Sequence, residues 1–312
     1  MSFTTEVKAE IAANELHACC GRAQLSALIQ MCASLSFTAA GMALEIKSEN
    51  ANTAKRILKL LKEHYQVSSQ LCVLRKMKLK KNNIYVFRVN SQVTHILNDL
   101  QIMDEEGLRP HPKADLVAKE CCARAYLAGA FLASGSINSP QTVNYHLEMS
   151  ANSKEQADFL IQLMKRFAII AKYIKRRKQD VIYVKASDKI SDFLRCIGAN
   201  EALFTFEDSR IQRDFMNSLT RLDNCELANE MKTISAGKKQ LEDIAWLETY
   251  QGLDTLSGKL QSVAYLRKQY PEASLNELCE IYANEYHETI SKSGMKHRLA
   301  KLKELANQYR NE

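Results

Sequence analysis

The chain is short of residues that interrupt helices, with only 4 prolines and 10 glycines among 312 residues. Proline lacks a backbone N–H and glycine is conformationally loose. Their scarcity argues for long helices and modest loops. Long apolar runs are missing too. The longest, such as Phe167 to Ala171, fall far short of the roughly 20 residues that cross a bilayer. Glu6, Lys8 and Glu10 sit within a helical pattern at the N-terminus, so no secretory signal is visible. These absences predict a cytoplasmic protein with no membrane partner. Cys-x-x-Cys pairs are absent as well, although there are 9 cysteines. The pairs Cys19-Cys20 and Cys121-Cys122 are poorly placed to clamp a metal, because neighbouring side chains on one helix diverge. The expectation is free thiols in a reducing cytosol, with no metal and no cofactor.

What is present is ordinary for a globular chain: 46% hydrophobic and 25% charged residues, and a net charge of +7. The length suggests two domains or a little more. The mild basic excess is weak evidence for a nucleic-acid partner by itself, so the location of the charge matters more.

An internal duplication organises the first two hundred residues. Shifted by 102 positions, Cys19-Cys20 falls on Cys121-Cys122, and Leu58, Leu61 and Tyr65 fall on Leu160, Leu163 and Phe167. Leu44-Glu45-Ile46 matches Leu147-Glu148-Met149 after a one-residue slip, as a bulge would give. Ile84-Tyr85-Val86 matches Ile182-Tyr183-Val184 at an offset of 98, which a shorter hairpin in the second copy explains. Each copy reads as an apolar helix (Arg22 to Ala33; Cys122 to Ala133), a hairpin, an amphipathic helix, a second hairpin and a short closing helix.

The stretch Leu127-Ala128-Gly129-Ala130-Phe131-Leu132-Ala133-Ser134-Gly135-Ser136 resembles the LAGLIDADG motif of homing endonucleases. The stretch Leu25 to Ala33 fits it more loosely. That resemblance implies two motif helices packed through small residues, each ending in a metal-binding acid. Cys32 and Ser134 stand at those two positions, and neither supplies the carboxylate that hard Mg²⁺ requires. The scaffold reads as retained and the nuclease as lost, so no catalytic residue is assigned.

Charge collects in the second hairpins. Residues 71–90 carry Arg75, Lys76, Lys78, Lys80, Lys81 and Arg88 without an acid, and the second copy concentrates Lys172, Lys175, Arg176, Arg177 and Lys178. Arg75, Lys76, Lys78, Lys175, Arg176 and Arg177 are secondary candidates for DNA contact, to phosphates rather than bases. The alternative is a solvated edge where lysines discourage aggregation.

From about Phe204 the period is helical throughout. Ser274-Leu275-Asn276-Glu277 is a capping box, and Ser291 is an N-cap flanked by Ile290 and Met295 as a hydrophobic staple. Met295, Leu299, Leu302 and Leu305 form one stripe of the last helix. From Thr289 to Arg310 there are six Lys or Arg and one acid, whereas Ser274 to Glu288 holds four acids and no Lys or Arg. A recognition helix beside a supporting helix shows this split. Lys292, Ser293, Lys296 and His297 could reach bases in the major groove, while Arg298, Lys301 and Lys303 suit phosphates. Ala283 to Thr289 is longer than the usual turn, so either the first helix runs on or the turn carries an insertion.

Several phrases together resemble the WhiA family of Gram-positive bacteria: Ser2-Phe3-Thr4-Thr5-Glu6-Val7-Lys8, the double cysteines, Ala125 to Leu132, Tyr145-His146-Leu147-Glu148, Asn224 to Asn229, and Ser291-Lys292-Ser293-Gly294 with His297-Arg298-Leu299. The resemblance implies a degenerate LAGLIDADG domain joined to a helix-turn-helix domain similar to sigma-factor region 4, with Leu256 to Gln269 as a supporting helix. It also implies regulation of transcription, linked to cell division, chromosome segregation and, in some relatives, sporulation. The expected fold is α+β: a duplicated αββαββα unit, then an all-α domain. Expected boundaries are repeat one at 1–100, repeat two at 101–204, a helical linker at 205–255 and the helix-turn-helix domain at 256–312. The expected partner is double-stranded promoter DNA, with another regulatory protein as a further partner and the nucleoid as the location. The competing readings are an active endonuclease or RNA maturase, and a scaffold for a partner protein or ligand.

Overall fold

The computed structural model describes residues 2–38, 41–67, 70–75, 83–176 and 179–310. They form two compact units, 1–213 and 214–312.

The first unit opens with α1 (Phe3–Ala13), whose N-cap Ser2 accepts a hydrogen bond from the Thr5 N–H. Then come α2 (Ala18–Cys32), β1 (Ala33–Thr38), β2 (Gly41–Ser48), α3 (Ala51–Tyr65), β3 (Gln70–Arg75), β4 (Asn83–Val89) and α4 (Val93–Asp99). A small hairpin, β5 (Met103–Asp104) and β6 (Gly107–Leu108), leads into the second copy. That copy comprises α5 (Glu120–Ser134), β7 (Gly135–Ile137), β8 (Leu147–Ala151), α6 (Lys154–Lys165), β9 (Lys172–Arg176), β10 (Gln179–Val184) and α7 (Ser187–Cys196). The αββαββα order is therefore present twice.

Both copies fold into a four-stranded antiparallel sheet with the same strand order, β1-β2-β4-β3 and β7-β8-β10-β9. The register shows the duplication residue by residue, and it corrects the match of the last strands: Ile182-Tyr183-Val184 is equivalent to Phe87-Arg88-Val89, at an offset of 95, and not to Ile84-Tyr85-Val86. Leu44 faces Val89 and Ile46 faces Phe87; in the second copy Leu147 faces Val184 and Met149 faces Ile182. All eight side chains are buried. Because side chains alternate along a strand, Glu45 and Glu148 are left on the opposite face of each sheet.

The two motif helices pack on each other at the centre of this unit. A Cβ on Gly129 would lie 2.5 Å from the Gln24 carbonyl oxygen and 3.0 Å from the Ala27 Cβ, so the backbones meet there. Cross-copy hydrogen bonds surround the crossing. The Tyr126 hydroxyl donates to Gln30 Oε1 at 2.6 Å, Thr53 Oγ1 to the Leu132 carbonyl at 3.1 Å, and Asn152 Nδ2 to the Gln30 carbonyl at 2.7 Å. Both helices begin earlier than the sequence suggests, at Ala18 and Glu120 rather than Arg22 and Cys122. The double cysteines thus lie inside first helical turns.

Helix α8 (Asn200–Tyr250) follows. In the first unit its residues Ala202, Leu203 and Phe206 join the core; in the second, Ile244 and Leu247 do so. The second unit continues with α9 (Gly258–Gln269), α10 (Leu275–Tyr286) and α11 (Lys292–Arg310). Its core is built from Leu247, Val263, Leu266, Leu278, Tyr282, Met295, Leu299 and Leu302. No helix among the described residues is long and apolar enough to cross a membrane.

Candidate nucleic-acid interface

The second unit holds its last three helices by caps and one buried cation. Ser274 Oγ accepts from the Glu277 N–H at 3.2 Å, and Glu277 Oε2 accepts from the Ser274 N–H at 2.7 Å, closing the capping box. Upstream, Arg267 is 2% exposed. Its Nη1 donates to the carbonyls of Tyr270, Pro271 and Ala273 at 3.3, 3.3 and 2.7 Å, fixing the corner between α9 and α10.

Of the two options left open for the turn, the first helix runs on. Helix α10 continues to Tyr286 and ends at His287, which has φ 53°. Tyr282 and Tyr286, one turn apart, stack with centroids 4.8 Å from each other. Tyr282 is buried, so the Tyr286 ring, one turn beyond it, has a fixed partner. The remaining turn is 287–291. Helix α11 starts where Ser291 Oγ accepts from the Gly294 N–H at 3.1 Å, with Met295 buried and Ile290 packed on the same core.

On α11 the buried stripe is Met295, Leu299, Leu302 and Ala306. Lys292, Ser293, Lys296, His297, Lys301 and Lys303 are all exposed. At 3.6 residues per turn, Lys292, Lys296 and Lys303 line one edge of the helix. No ion pair engages any of these three among the described residues. Lys301 differs, because its ammonium pairs with Glu304 at 2.9 Å and holds that carboxyl below its usual range. Arg298 is half-buried. Its guanidinium lies 5.3 Å from the Tyr282 ring centroid and donates to the Tyr282 hydroxyl at 2.9 Å. Tyr282 donates in turn to Glu288 at 3.3 Å. Arg298 therefore braces α11 against α10, which the basic run alone did not disclose.

The hairpin candidates divide. Arg75 and Lys175 are exposed on β3 and β9, while Lys76, Lys78 and Arg177 lie outside the described residues. Arg176 pairs with Glu148 at 2.9 Å, and in the first copy Arg88 pairs with Glu45 at 2.7 Å. Each outer sheet face therefore offsets part of its positive charge with a carboxylate from the duplicated strand.

The C-terminal ends of α2 and α5 are Cys32 and Ser134. Ser134 Oγ donates to the Ser150 carbonyl at 2.7 Å. Burial pushes the Cys32 thiol up to about 11. Close to it, Lys8 is 8% exposed, and burial lowers its ammonium to about 8 despite the opposing effect of Cys32. A buried cation beside Cys32 disfavours a divalent metal at that helix end. The sign for stability follows from proton counting. The folded chain holds the Lys8 proton less tightly than the unfolded chain, so stability rises with pH from about 8 to the ordinary lysine value of 10.5. Lys8→Met should therefore stabilise the protein at pH 7, by roughly 1–3 kcal/mol, and remove that rise. Urea denaturation at neutral and alkaline pH checks this, and an unchanged pH profile in the variant would refute it.

The exclusion of the cysteines requires correction. Adjacent side chains diverge along one helix, but α2 and α5 pack together and bring the sulfurs of Cys19, Cys20, Cys121 and Cys122 within 4.8 Å of one another. The signal was available: the shift that superposes the two cysteine pairs also superposes the two helices expected to pack.

A duplicated LAGLIDADG-like unit followed by a helix-turn-helix unit defines the class of this protein. Family models match in the same order: the WhiA N-terminal LAGLIDADG-like domain at residues 18–103, the WhiA LAGLIDADG-like domain at 123–216 and the WhiA C-terminal HTH domain at 219–306. The Probable cell division protein WhiA of Bacillus licheniformis is 46% identical over 311 residues, covering 99% of this chain and 98% of the relative. The protein of the same name from Bacillus subtilis is 46% identical with the same coverage. Full-length WhiA from Thermatoga maritima shares the fold at a TM-score of 0.60 and 22% identity, covering 99% of both chains. The chain belongs to the WhiA family.

Proposed function

We propose that this protein is a sequence-specific double-stranded-DNA-binding regulator of transcription that acts at promoters and does not cleave its target. Helix α11 enters the major groove by its first turns. Lys292, Ser293, Lys296 and His297 face base edges there, Lys301 and Lys303 meet phosphates, and Arg298 positions the helix. The observation that carries this reading is the edge formed by Lys292, Lys296 and Lys303, exposed and free of ion pairs among the described residues. Lysines placed so are ready to release counterions from a duplex. Arg75 and Lys175 supply weaker, phosphate-directed contacts. Cys32 and Ser134 at the helix ends, with Lys8 buried near Cys32, support a role without metal-dependent cleavage. The relatives' name directs the regulation toward cell division, and the family resemblance extends it to chromosome segregation and, in sporulating relatives, sporulation. The protein would then work on the nucleoid.

With roughly six phosphate contacts, log affinity should fall against log salt with a slope of about −5. Footprinting on chromosomal fragments across a salt series measures both that slope and site preference. A slope near zero, or uniform protection without preferred sites, would remove the proposal. Cleavage by clean protein with Mg²⁺ would replace it with the nuclease reading.

A further inference from the structure

Cys19 and Cys20 occupy the first turn of α2, and Cys121 and Cys122 the first turn of α5. Their four sulfurs lie within 4.8 Å of one another, with 4.0 Å between the Cys19 and Cys20 sulfurs. A zinc ion held tetrahedrally at about 2.3 Å by four thiolates spaces its sulfurs roughly 3.8 Å apart. Small side-chain rotations close the difference. Cys20 and Cys122 are 3% and 4% exposed, while Cys19 and Cys121 face solvent. An ion there would have one sheltered side and one entry side.

Each cysteine pair lies at a helix start. His17 and Lys119, the N-cap residues of the two helices, make no side-chain capping hydrogen bond. The sulfurs therefore lie at the positive ends of two helix dipoles, where thiolates are favoured. A coordinating cation would displace the thiol protons there.

We propose that Cys19, Cys20, Cys121 and Cys122 form a tetrathiolate site for a soft divalent cation, zinc foremost, which ties the start of α2 to the start of α5. Thiolate ligands select zinc over the hard magnesium of nuclease chemistry. The site joins the two copies at the helix ends opposite Cys32 and Ser134, and it does not depend on the DNA-binding reading.

The test uses the reduced full-length chain, purified without chelator, with Zn²⁺ and Co²⁺ as probes. The expected result is one zinc per chain, four thiols shielded from a thiol reagent until the zinc is stripped, and a Co²⁺ spectrum with thiolate charge-transfer and tetrahedral bands. Cys121→Ser, at a solvent-facing position, should weaken zinc binding by about 100-fold or more, beyond the range that outer-shell changes produce. Cys72→Ser, at an exposed thiol on β3, should change nothing. If Cys121→Ser folds poorly, thermal melts of the unaltered chain decide, because Zn²⁺ should raise the midpoint and Mg²⁺ should not. Failure of the reduced chain to take up zinc, or equal reactivity of the four thiols with and without it, would overturn the site. Recovery of a disulfide between Cys19 and Cys122 from reducing cells would also overturn it.

Discussion

Exchange of Lys292 and Lys296 together for glutamate is expected to abolish DNA binding while leaving the fold intact. Both side chains are exposed, at the start of α11, along one edge of the stripe that Met295 and Leu299 bury. Surface substitutions of that kind stay within about 0.5 kcal/mol of neutral, so melting temperature and helix content should not change. The effect on DNA is much larger. In the proposed docking these two lysines face base edges, so their loss removes major-groove contacts worth roughly 1–3 kcal/mol each, and two introduced carboxylates repel the duplex. Affinity at low salt should fall by roughly 100-fold or more. Lys301→Glu provides an internal comparison. Its charge is already partly offset by Glu304 at 2.9 Å, so the loss should be smaller. Equal loss from both variants would mean that net charge, not helix placement, governs binding. Unchanged affinity in the double variant would sink the recognition helix outright.

Gly129→Leu is expected to unfold the first unit or leave it barely stable. Even a Cβ at this position would sit 2.5 Å from the Gln24 carbonyl oxygen, a backbone atom that cannot rotate aside. The two motif helices would have to separate. Overpacking alone typically costs about 1–3 kcal/mol. Here separation also stretches the bonds from Tyr126 to Gln30 and from Thr53 to Leu132. A total loss of about 4 kcal/mol or more is expected, which is a large part of the stability of an ordinary domain. Gly258→Ala is the contrast, since no atom lies within 4 Å of its added Cβ. It should be neutral or mildly stabilising, by up to about 1 kcal/mol. Chemical denaturation of the two variants side by side tests the pair. A Gly129→Leu protein as stable as the parent would contradict the close helix crossing.

Much of the fold was legible because duplication makes its own internal check. The one-residue slip between Leu44-Glu45-Ile46 and Leu147-Glu148-Met149 emerges as equivalent strand pairing in the two sheets. The capping box at Ser274 and the N-cap at Ser291 were readable because caps are local, a matter of three or four consecutive residues. Contacts between distant segments were harder to read. A lysine at position 8 reads as solvated until α1 is seen to bury it near Cys32. Arg298 belongs to a basic run, and only the packing of α11 on α10 brings it onto the Tyr282 ring. The cysteine quartet was missed for the same reason, since each pair was judged on its own helix while the other half of the cluster comes from the opposite copy.

The corner held by Arg267 bears on kinetics. With three main-chain carbonyls already engaged by a buried guanidinium, the bend leading into α10 exists before any duplex arrives. The corner itself does not have to become ordered during the encounter, so on the proposed reading arrival of α11 is governed by diffusion and by long-range attraction between lysines and phosphates. Differences among operator sequences should then appear mainly in how long the complex lasts.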